Sequence, residues 1–186
     1  TRYVYRLRND GVTSKNYYFQ TDSVDAFNFI FAGDPQIGAS GSSSADGTRW
    51  GNTLNVISDM FPETSLLVLA GDQVELCNDE DAYDYLLAPS AVQSFALARS
   101  VGNHESWYKF SDKYAQNYGI HKEHFNDPNT IINGKTLGST DAGSDYWYSY
   151  NNVLFMHINS NNRATAEHKE FMEAAIAANP NAAWRV

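Results

Sequence analysis

The sequence predicts an α/β fold, in which helices cross over between neighbouring strands of a sheet. Two short apolar runs, FNFIFA from Phe27 and SLLVLA from Ser65, each lead into Gly-Asp, the pattern of a buried parallel strand that ends in a turn. Helical spacing separates the runs, because the apolar residues of Thr48 to Met60 lie on one side and Pro62 ends the segment. Such alternation is typical of βαβ units.

Further elements complete the predicted fold. Residues 79–100 are helical in composition, with a break near Pro89, and lead into Gly102-Asn103-His104-Glu105. The remaining predicted elements are a β-hairpin that turns at Asn151-Asn152, an amphipathic helix over 164–179 and the start of a strand at 182–186.

The first 22 residues differ from the rest of the chain. Strand-like alternation lies on both sides of Asn9-Asp10-Gly11, which predicts a β-hairpin. A hairpin alone is only marginally stable, so we expect it to be the end of a small β-domain. The predicted division is therefore residues 1–22 for that domain and residues 23–186 for the α/β domain.

Composition excludes several classes of partner. The net charge is −9, and the 13 Lys and Arg residues form no cluster, so no nucleic-acid partner is expected. No apolar stretch approaches the roughly 18 residues that a membrane span needs. Cys77 is the single cysteine, so there is no disulfide framework.

Polar residues follow the predicted strands in three motifs: Asp34 and Gln36 in GDPQ, Asp72 in GDQVE, and Asn103 and His104 in GNHE. Asp34 and Asp72 are 38 residues apart, and Asp72 and Asn103 are 31 apart. Each interval suits one βαβ unit, so all three motifs are predicted to meet at one edge of the sheet. Carboxylate and amide oxygens suit hard or borderline metal ions, and a neighbouring histidine can contact a phosphoryl oxygen.

The segments FIFAGDPQ, LVLAGDQVE and VGNHE resemble the first three sequence blocks of the calcineurin-like metallophosphoesterases, and more narrowly of their purple-acid-phosphatase-related branch. The resemblance runs from about Phe27 to Val186. It implies a truncated calcineurin-like metallophosphoesterase sandwich, built of βαβ units with a mixed sheet and preceded by the hairpin remnant of a fibronectin-like β-domain. It also implies that residues 23–186 are the N-terminal part of the catalytic domain, with further histidine ligands in a missing C-terminal half.

The function implied by the resemblance is hydrolysis of a phosphate ester by water activated at a two-metal centre. Asp34 and Gln36 would bind one metal, Asp72 would bridge both, Asn103 would bind the other, and His104 would face the phosphate as the catalytic residue. The resemblance implies two divalent or trivalent ions, and iron, manganese, zinc and magnesium all suit these ligands.

Two residues depart from the family pattern. Gln36 stands where many members have histidine, and Glu75 stands where purple acid phosphatases have a tyrosine ligand. These departures leave a second interpretation open, a binding or structural module that keeps the fold without the activity. For this chain alone we expect weak or single-metal binding and poor turnover. The fibronectin-like remnant favours an extracytoplasmic or secreted location.

The other candidate residues receive structural interpretations. His157 shares a strand face with Val153 and Phe155, which predicts a packed, hydrogen-bonded histidine. Glu105 is predicted to orient the site or to belong to a turn, and not to bind a metal. Residues 37–47 lack the GxxxxGK[ST] phosphate loop and are predicted to be a connector or a mobile rim of the cleft. His121, His124 and His168 are predicted to be solvated surface positions. Trp107 and Tyr108 either line the substrate pocket or are simply partly buried, and the sequence favours neither interpretation.

Overall fold

The computed structural model describes residues 1–106, 119–132, 135–136 and 145–186, so Trp107 and Tyr108 lie outside the described residues. The helices are Ser43–Met60 (α1), Glu80–Leu87 (α2), Gly119–His124 (α3) and Thr165–Ala178 (α4). The strands are Arg2–Tyr5 (β1), Arg8–Asn9 (β2), Val12–Thr13 (β3), Tyr17–Gln20 (β4), Phe29–Ala32 (β5), Leu66–Leu69 (β6), Ala96–Arg99 (β7), Ile131–Ile132 (β8), Lys135–Thr136 (β9), Tyr146–Tyr150 (β10), Val153–His157 (β11) and Trp184–Arg185 (β12). Across these ranges no helix combines the length and the apolar character that a membrane crossing requires.

The chain begins with the predicted antiparallel hairpin, in which β1 pairs with β4 and β2 pairs with β3. Asp10 and Gly11 at its tip have φ values of 45° and 81°, the positive values that a tight hairpin turn needs. The Tyr5 hydroxyl donates a hydrogen bond to the Gln93 carbonyl (3.0 Å), which attaches the hairpin to the rest of the structure. Its assignment to a separate, fibronectin-like domain stays a prediction.

A parallel three-stranded sheet lies at the centre, in the order β5-β6-β7. Helix α1 connects β5 to β6, and α2 lies between β6 and β7, so the chain contains the predicted βαβ units. All four side chains of β6 are buried, which is why this strand is a continuous apolar run with no polar alternation. The parallel pairing sends all three strand ends to the same edge.

Two boundaries differ from the prediction. Helix α1 begins at Ser43 and not at Thr48, because the Ser42 hydroxyl accepts a hydrogen bond from the Ala45 amide (3.3 Å) and caps the helix. The first half of residues 37–47 is therefore a short turn and the second half is helix. Within residues 79–100, helix α2 ends before Pro89, as predicted, and only a single 3-10 turn, Val92–Ser94, follows it, because residues 96–99 pair with β6 as strand β7.

Helices α1 and α2 pack closely because α1 carries a glycine at their contact. A Cβ atom added to Gly47 would lie 2.7 Å from the Cβ of Tyr85. The buried indole of Trp50 donates to the Leu86 carbonyl (3.2 Å), and Leu54 fills the core beneath it. This layer of helices covers one face of the parallel sheet.

Gly47→Ala is expected to destabilise the protein by about 1–3 kcal/mol, because the new methyl group would overlap Tyr85 and force the helices apart. Gly51→Ala is the matched control, one turn further along α1, where the added Cβ would meet only Pro89 at 3.6 Å. That change is expected to stabilise by roughly 0.5–1 kcal/mol through helix propensity. Denaturant unfolding of both variants measures the difference, and equal effects would contradict the packing described here.

The second sheet is mixed and packs on the first. Strands β10 and β11 are antiparallel, as predicted, while β11 and β12 are parallel. Leu66 and Val68 of β6 contact Val153 and Phe155 of β11, and the rings of Phe29 and Phe155 meet edge to face at 5.3 Å. The molecule is therefore a mixed α/β sandwich, the predicted class.

Helix α4 completes the layers on the far side of the mixed sheet. Its residues contact β11, and Phe171 of the helix is fully buried. Leu154, which points to the face opposite Val153 and Phe155, is also fully buried. The described order is therefore α1 and α2, the parallel sheet, the mixed sheet, and α4.

The prediction that His121, His124 and His168 are solvated is wrong. His121 is buried, with its Nδ1 3.3 Å from the Tyr83 hydroxyl, and burial together with the charge of Arg99 lowers its pKa well below the ordinary value. His124 stacks on Tyr83 at 3.9 Å. Both histidines contact Tyr83, which lies far away in sequence. The periodicity of the neighbouring residues does not indicate such a contact.

His168 is buried against a carboxylate from another segment. Its Nδ1 lies 2.5 Å from Asp145 Oδ2, and its Nε2 donates to the Asn162 carbonyl (2.8 Å). Burial opposes a charge on His168, but the Asn162 carbonyl and the Asp145 carboxylate outweigh burial and raise its pKa. The contact with Asp145 ties α4 to the start of β10, and the contact with Asn162 ties it to the loop that follows β11.

Candidate metal centre

The three predicted motifs meet at one edge of the parallel sheet. Ala32 of β5 is in register with Leu69 of β6, and Leu69 is in register with Arg99 of β7. The residues that follow these strands therefore leave the sheet side by side. Asp34 and Asn103 are exposed to solvent at this edge.

The first two motifs continue to pair beyond the sheet. Three backbone hydrogen bonds join them. The Gln36 backbone N–H donates to the Asp72 carbonyl (2.9 Å), the Ile37 N–H to the Gln73 carbonyl (3.1 Å), and the Glu75 N–H to the Ile37 carbonyl (3.0 Å). These bonds form a short parallel ladder between two loops. The ladder fixes the position of Gln36 relative to Asp72.

Glycines let the second and third motifs approach. A Cβ atom on Gly102 would lie 2.1 Å from Asp72 Oδ1 and 2.4 Å from the Asp72 nitrogen. A Cβ atom on Gly71 would lie 2.7 Å from the Gly102 Cα. The backbones of the two loops therefore touch at positions where only hydrogen fits.

Three of the predicted ligands have left-handed backbone conformations. The φ values are 47° for Asp34, 42° for Gln36 and 49° for Asp72. Aspartate tolerates this region, but a glutamine in it is under strain, at a cost of about 1–2 kcal/mol. Strain held at a cluster of polar residues is a feature of functional sites.

The Asp72 carboxylate joins the second motif to the third. Its Oδ1 accepts a hydrogen bond from the His104 backbone amide (2.9 Å). Its second oxygen, Oδ2, takes no part in that bond, so it can bind an ion without breaking the contact.

The side chains of Gln36, Glu75 and His104 form a connected group. Gln36 Nε2 donates to Glu75 Oε2 (2.8 Å) and lies 3.2 Å from His104 Nε2. His104 Nδ1 lies 2.8 Å from the Glu75 main-chain carbonyl oxygen. Because a carbonyl oxygen only accepts, Nδ1 carries a proton, and the neutral ring presents Nε2 as an acceptor to Gln36.

Glu105 lies beneath the two loops and holds both, in agreement with the orienting role predicted for it. Its fully buried carboxylate accepts hydrogen bonds from the backbone amides of Asp72 (2.9 Å), Gln73 (2.7 Å) and Gly102 (2.7 Å). Burial raises the pKa of this carboxyl group, and the three amides act in the opposite direction by stabilising the anion.

The loop after β11 also contacts the edge, which the sequence analysis missed. The Asn161 side chain donates to the Gly102 carbonyl (2.9 Å), directly before Asn103. His157 is buried, and its Nδ1 lies 3.0 Å from the Ser100 hydroxyl, so the packed role predicted for this histidine is confirmed. The asparagine-rich run of residues 159–162 is the sequence feature that could have indicated the contact of Asn161 with this edge.

Burial lowers the pKa of His157 to about 4, and the charge of Arg99 acts in the same direction. The folded state therefore binds fewer protons than the unfolded state at acidic pH. The stabilising contribution of the neutral, buried His157 is fully present above pH 6.5 and is lost as the pH falls toward 4. In His157→Gln, the loss of unfolding free energy between pH 7 and pH 4.5 is expected to shrink by on the order of 2 kcal/mol. Urea unfolding at both pH values measures this, and an unchanged pH dependence would contradict it.

The donor set fits hard or borderline metal ions. In the predicted ligand set, Asp34 and Asp72 would supply carboxylates and Gln36 and Asn103 would supply amide oxygens, so every predicted donor is oxygen. Across residues 1–106, 119–132, 135–136 and 145–186, no group of three or more His, Cys, Asp or Glu residues could hold a metal ion.

Comparison with known proteins supports the fold. No family model matches the chain, and no curated protein matches it. Among solved structures it is similar to the purple acid phosphatase PPD1 isolated from yellow lupin (Lupinus luteus) seeds, with a TM-score of 0.64 and 18% sequence identity. The match covers 99% of this chain and 34% of that chain, so this chain spans about a third of the phosphatase. It therefore has a fold related to that of a purple acid phosphatase.

Proposed function

We propose that this chain contributes metal ligands and a catalytic histidine to a metal-dependent phosphoesterase. The observation that carries the proposal is the meeting of three strand-end motifs around Asp72, with Gln36 and His104 in hydrogen-bond contact at 3.2 Å. The fold similarity to a purple acid phosphatase supports the same reaction class.

In this proposal, Asp34, Gln36, Asp72 and Asn103 would hold up to two metal ions, and Asp72 would be a ligand shared by both. Bound ions would supply a nucleophile at neutral pH and neutralise charge on the phosphoryl group. The backbone ladder holds the Gln36 and Asp72 loops side by side before any ion binds, which reduces the cost of bringing these two proposed ligands together. Further ligands from outside residues 1–186 belong to the same proposal.

His104 faces the phosphate in this proposal. Its Nδ1 donates to the Glu75 carbonyl, and its Nε2 accepts from Gln36. Donation of a proton to a leaving oxygen therefore requires that Nε2 is first protonated and that the Gln36 contact opens. Contact with a phosphoryl oxygen requires the same change.

The test uses the protein in its full encoded length with aryl phosphate monoester and diester substrates, in Mn²⁺, Zn²⁺, Mg²⁺ or iron. Asp72→Asn is expected to lower the metal-dependent rate by roughly 100-fold or more, because it removes a charged donor. Asp59→Asn, an exposed aspartate on α1, is the control and is expected to leave the rate unchanged. A protein that binds metal without hydrolysing either substrate would be a binding module, and the proposal would be wrong.

A further inference from the structure

We propose that Glu75 is a positioning residue that holds Gln36 and His104 in one arrangement. The Glu75 carboxylate accepts a hydrogen bond from the Gln36 side chain, and its main-chain carbonyl accepts one from the His104 ring. The inference rests on the proposed function, because it concerns the same metal and phosphate site. It assigns a role to a residue that stands where the related phosphatases carry a different side chain.

The orientation of the Gln36 amide follows from hydrogen-bond chemistry. A glutamine side chain has two N–H donors and one oxygen acceptor. Its nitrogen lies 2.8 Å from Glu75 Oε2 and 3.2 Å from His104 Nε2, so each hydrogen has a partner. With the amide reversed, Oε1 would face the carboxylate, and two acceptors would repel each other. The Gln36 oxygen therefore points away from Glu75 and is available to bind an ion.

The same residue sets the tautomer of His104. His104 Nδ1 donates its hydrogen to the Glu75 main-chain carbonyl (2.8 Å). Nε2 therefore carries the lone pair that accepts a hydrogen bond from Gln36. Glu75 Oε2 also lies 3.4 Å from His104 Nδ1. One residue therefore determines which atoms Gln36 and His104 present to the site.

Glu75 can act in this way because its own position is restricted. Its amide donates to the Ile37 carbonyl (3.0 Å), and Ile37 forms a parallel bridge with Val74. A Cβ atom on Gly38 would lie 3.2 Å from the Glu75 Cβ, so the first loop also packs against Glu75. A charge-assisted hydrogen bond from a side chain held in this way is stronger than a bond between neutral groups.

The first test needs no metal. In the NMR spectrum of the metal-free protein, Gln36→Ala assigns the Gln36 side-chain amide signal. Glu75→Ala is expected to speed hydrogen exchange at this amide roughly tenfold, because one charge-assisted hydrogen bond is lost. Glu75→Gln is expected to restore the slow exchange, because the new amide oxygen accepts the same bond. Glu63→Ala, at an exposed glutamate, is the matched control. Unchanged exchange in Glu75→Ala would overturn the inference.

The second test is titration of the same variants with Mn²⁺. Glu75→Ala is expected to weaken binding roughly 10–100-fold, as removal of a group that orients a ligand does. Glu75→Gln is expected to stay within about threefold of the parent, since the hydrogen bond persists. Equal losses in both variants would mean that Glu75 binds the ion itself, and would overturn the positioning role. If the parent protein in its full encoded length binds none of Mn²⁺, Zn²⁺, Mg²⁺ and iron, the proposed function fails, and the exchange measurement still decides the role of Glu75.

Discussion

Gly102→Ala is expected to abolish metal binding and to lower the free energy of unfolding by about 3 kcal/mol or more. The added Cβ would lie 2.1 Å from Asp72 Oδ1 and 2.4 Å from the Asp72 nitrogen. Neither atom can move freely, because Oδ1 accepts from the His104 amide and the nitrogen donates to Glu105. Relief of the overlap requires that the second and third motifs separate.

Gly33→Ala is the matched control for that change. Gly33 precedes Asp34 in the first motif, as Gly71 precedes Asp72 in the second, but a Cβ there meets nothing within 4 Å and its φ is not in the left-handed region. Its alanine variant is expected to bind Mn²⁺ as the parent does and to unfold at the same denaturant concentration. Calorimetric titration and urea unfolding measure both properties. Normal Mn²⁺ binding by Gly102→Ala would show that the two motifs need not touch.

Glu105→Ala is expected to destabilise the protein by about 3–5 kcal/mol, because three buried backbone amides lose their acceptor together. Because two of these amides belong to Asp72 and Gln73 and one to Gly102, metal affinity is expected to fall with stability. Glu63→Ala serves as the exposed control, with a change within about 0.5 kcal/mol.

The Glu105→Gln variant separates the effect of the lost hydrogen-bond acceptor from the effect of the lost side-chain volume. The glutamine fills the same space but replaces one of the two acceptor oxygens by an N–H group, which would face a backbone donor. Its stability is expected to lie between that of the parent and that of Glu105→Ala in urea unfolding. A Glu105→Gln variant as stable as the parent would mean that the backbone amides find other acceptors.

The sequence predicts the central sheet and the meeting of the three motifs well, for a physical reason. Strand β6 is buried on both faces, so its apolar run is unbroken, and parallel strands send their ends to one edge. Asp34, Asp72 and Asn103 could therefore be grouped from the position of each after such a run. Whether they bind metal is a separate prediction.

Contacts between distant segments could not be predicted. His168 was interpreted as solvated, but it is buried against Asp145, which lies on the other side of the β10-β11 hairpin in sequence. Arg99 was not singled out, but it forms a buried ion pair with Asp127 at 2.7 Å. Asn161 lies far from Gly102 in sequence, yet its side chain holds that backbone. Single-sequence patterns report local periodicity and leave such pairings open.

The orientation of the Gln36 amide belongs to the same category. In the sequence analysis, the resemblance of three short segments to the metallophosphoesterase blocks marked Gln36 and Glu75 as two separate departures. The structure brings them into one hydrogen bond of 2.8 Å, with His104 beside them. Only tertiary geometry joins the two substitutions.

The most direct measurement of the central claim is paramagnetic broadening by Mn²⁺ in an NMR spectrum of the protein, at less than one equivalent of the ion. The backbone signals of Asp34, Gln36, Asp72 and Asn103 are expected to broaden together, while those of the N-terminal hairpin stay sharp. The exposed acidic residues at the start of α2 offer Mn²⁺ a competing surface. Broadening centred on α2, with sharp signals at the four residues, would contradict the claim that the strand-end motifs form a metal site.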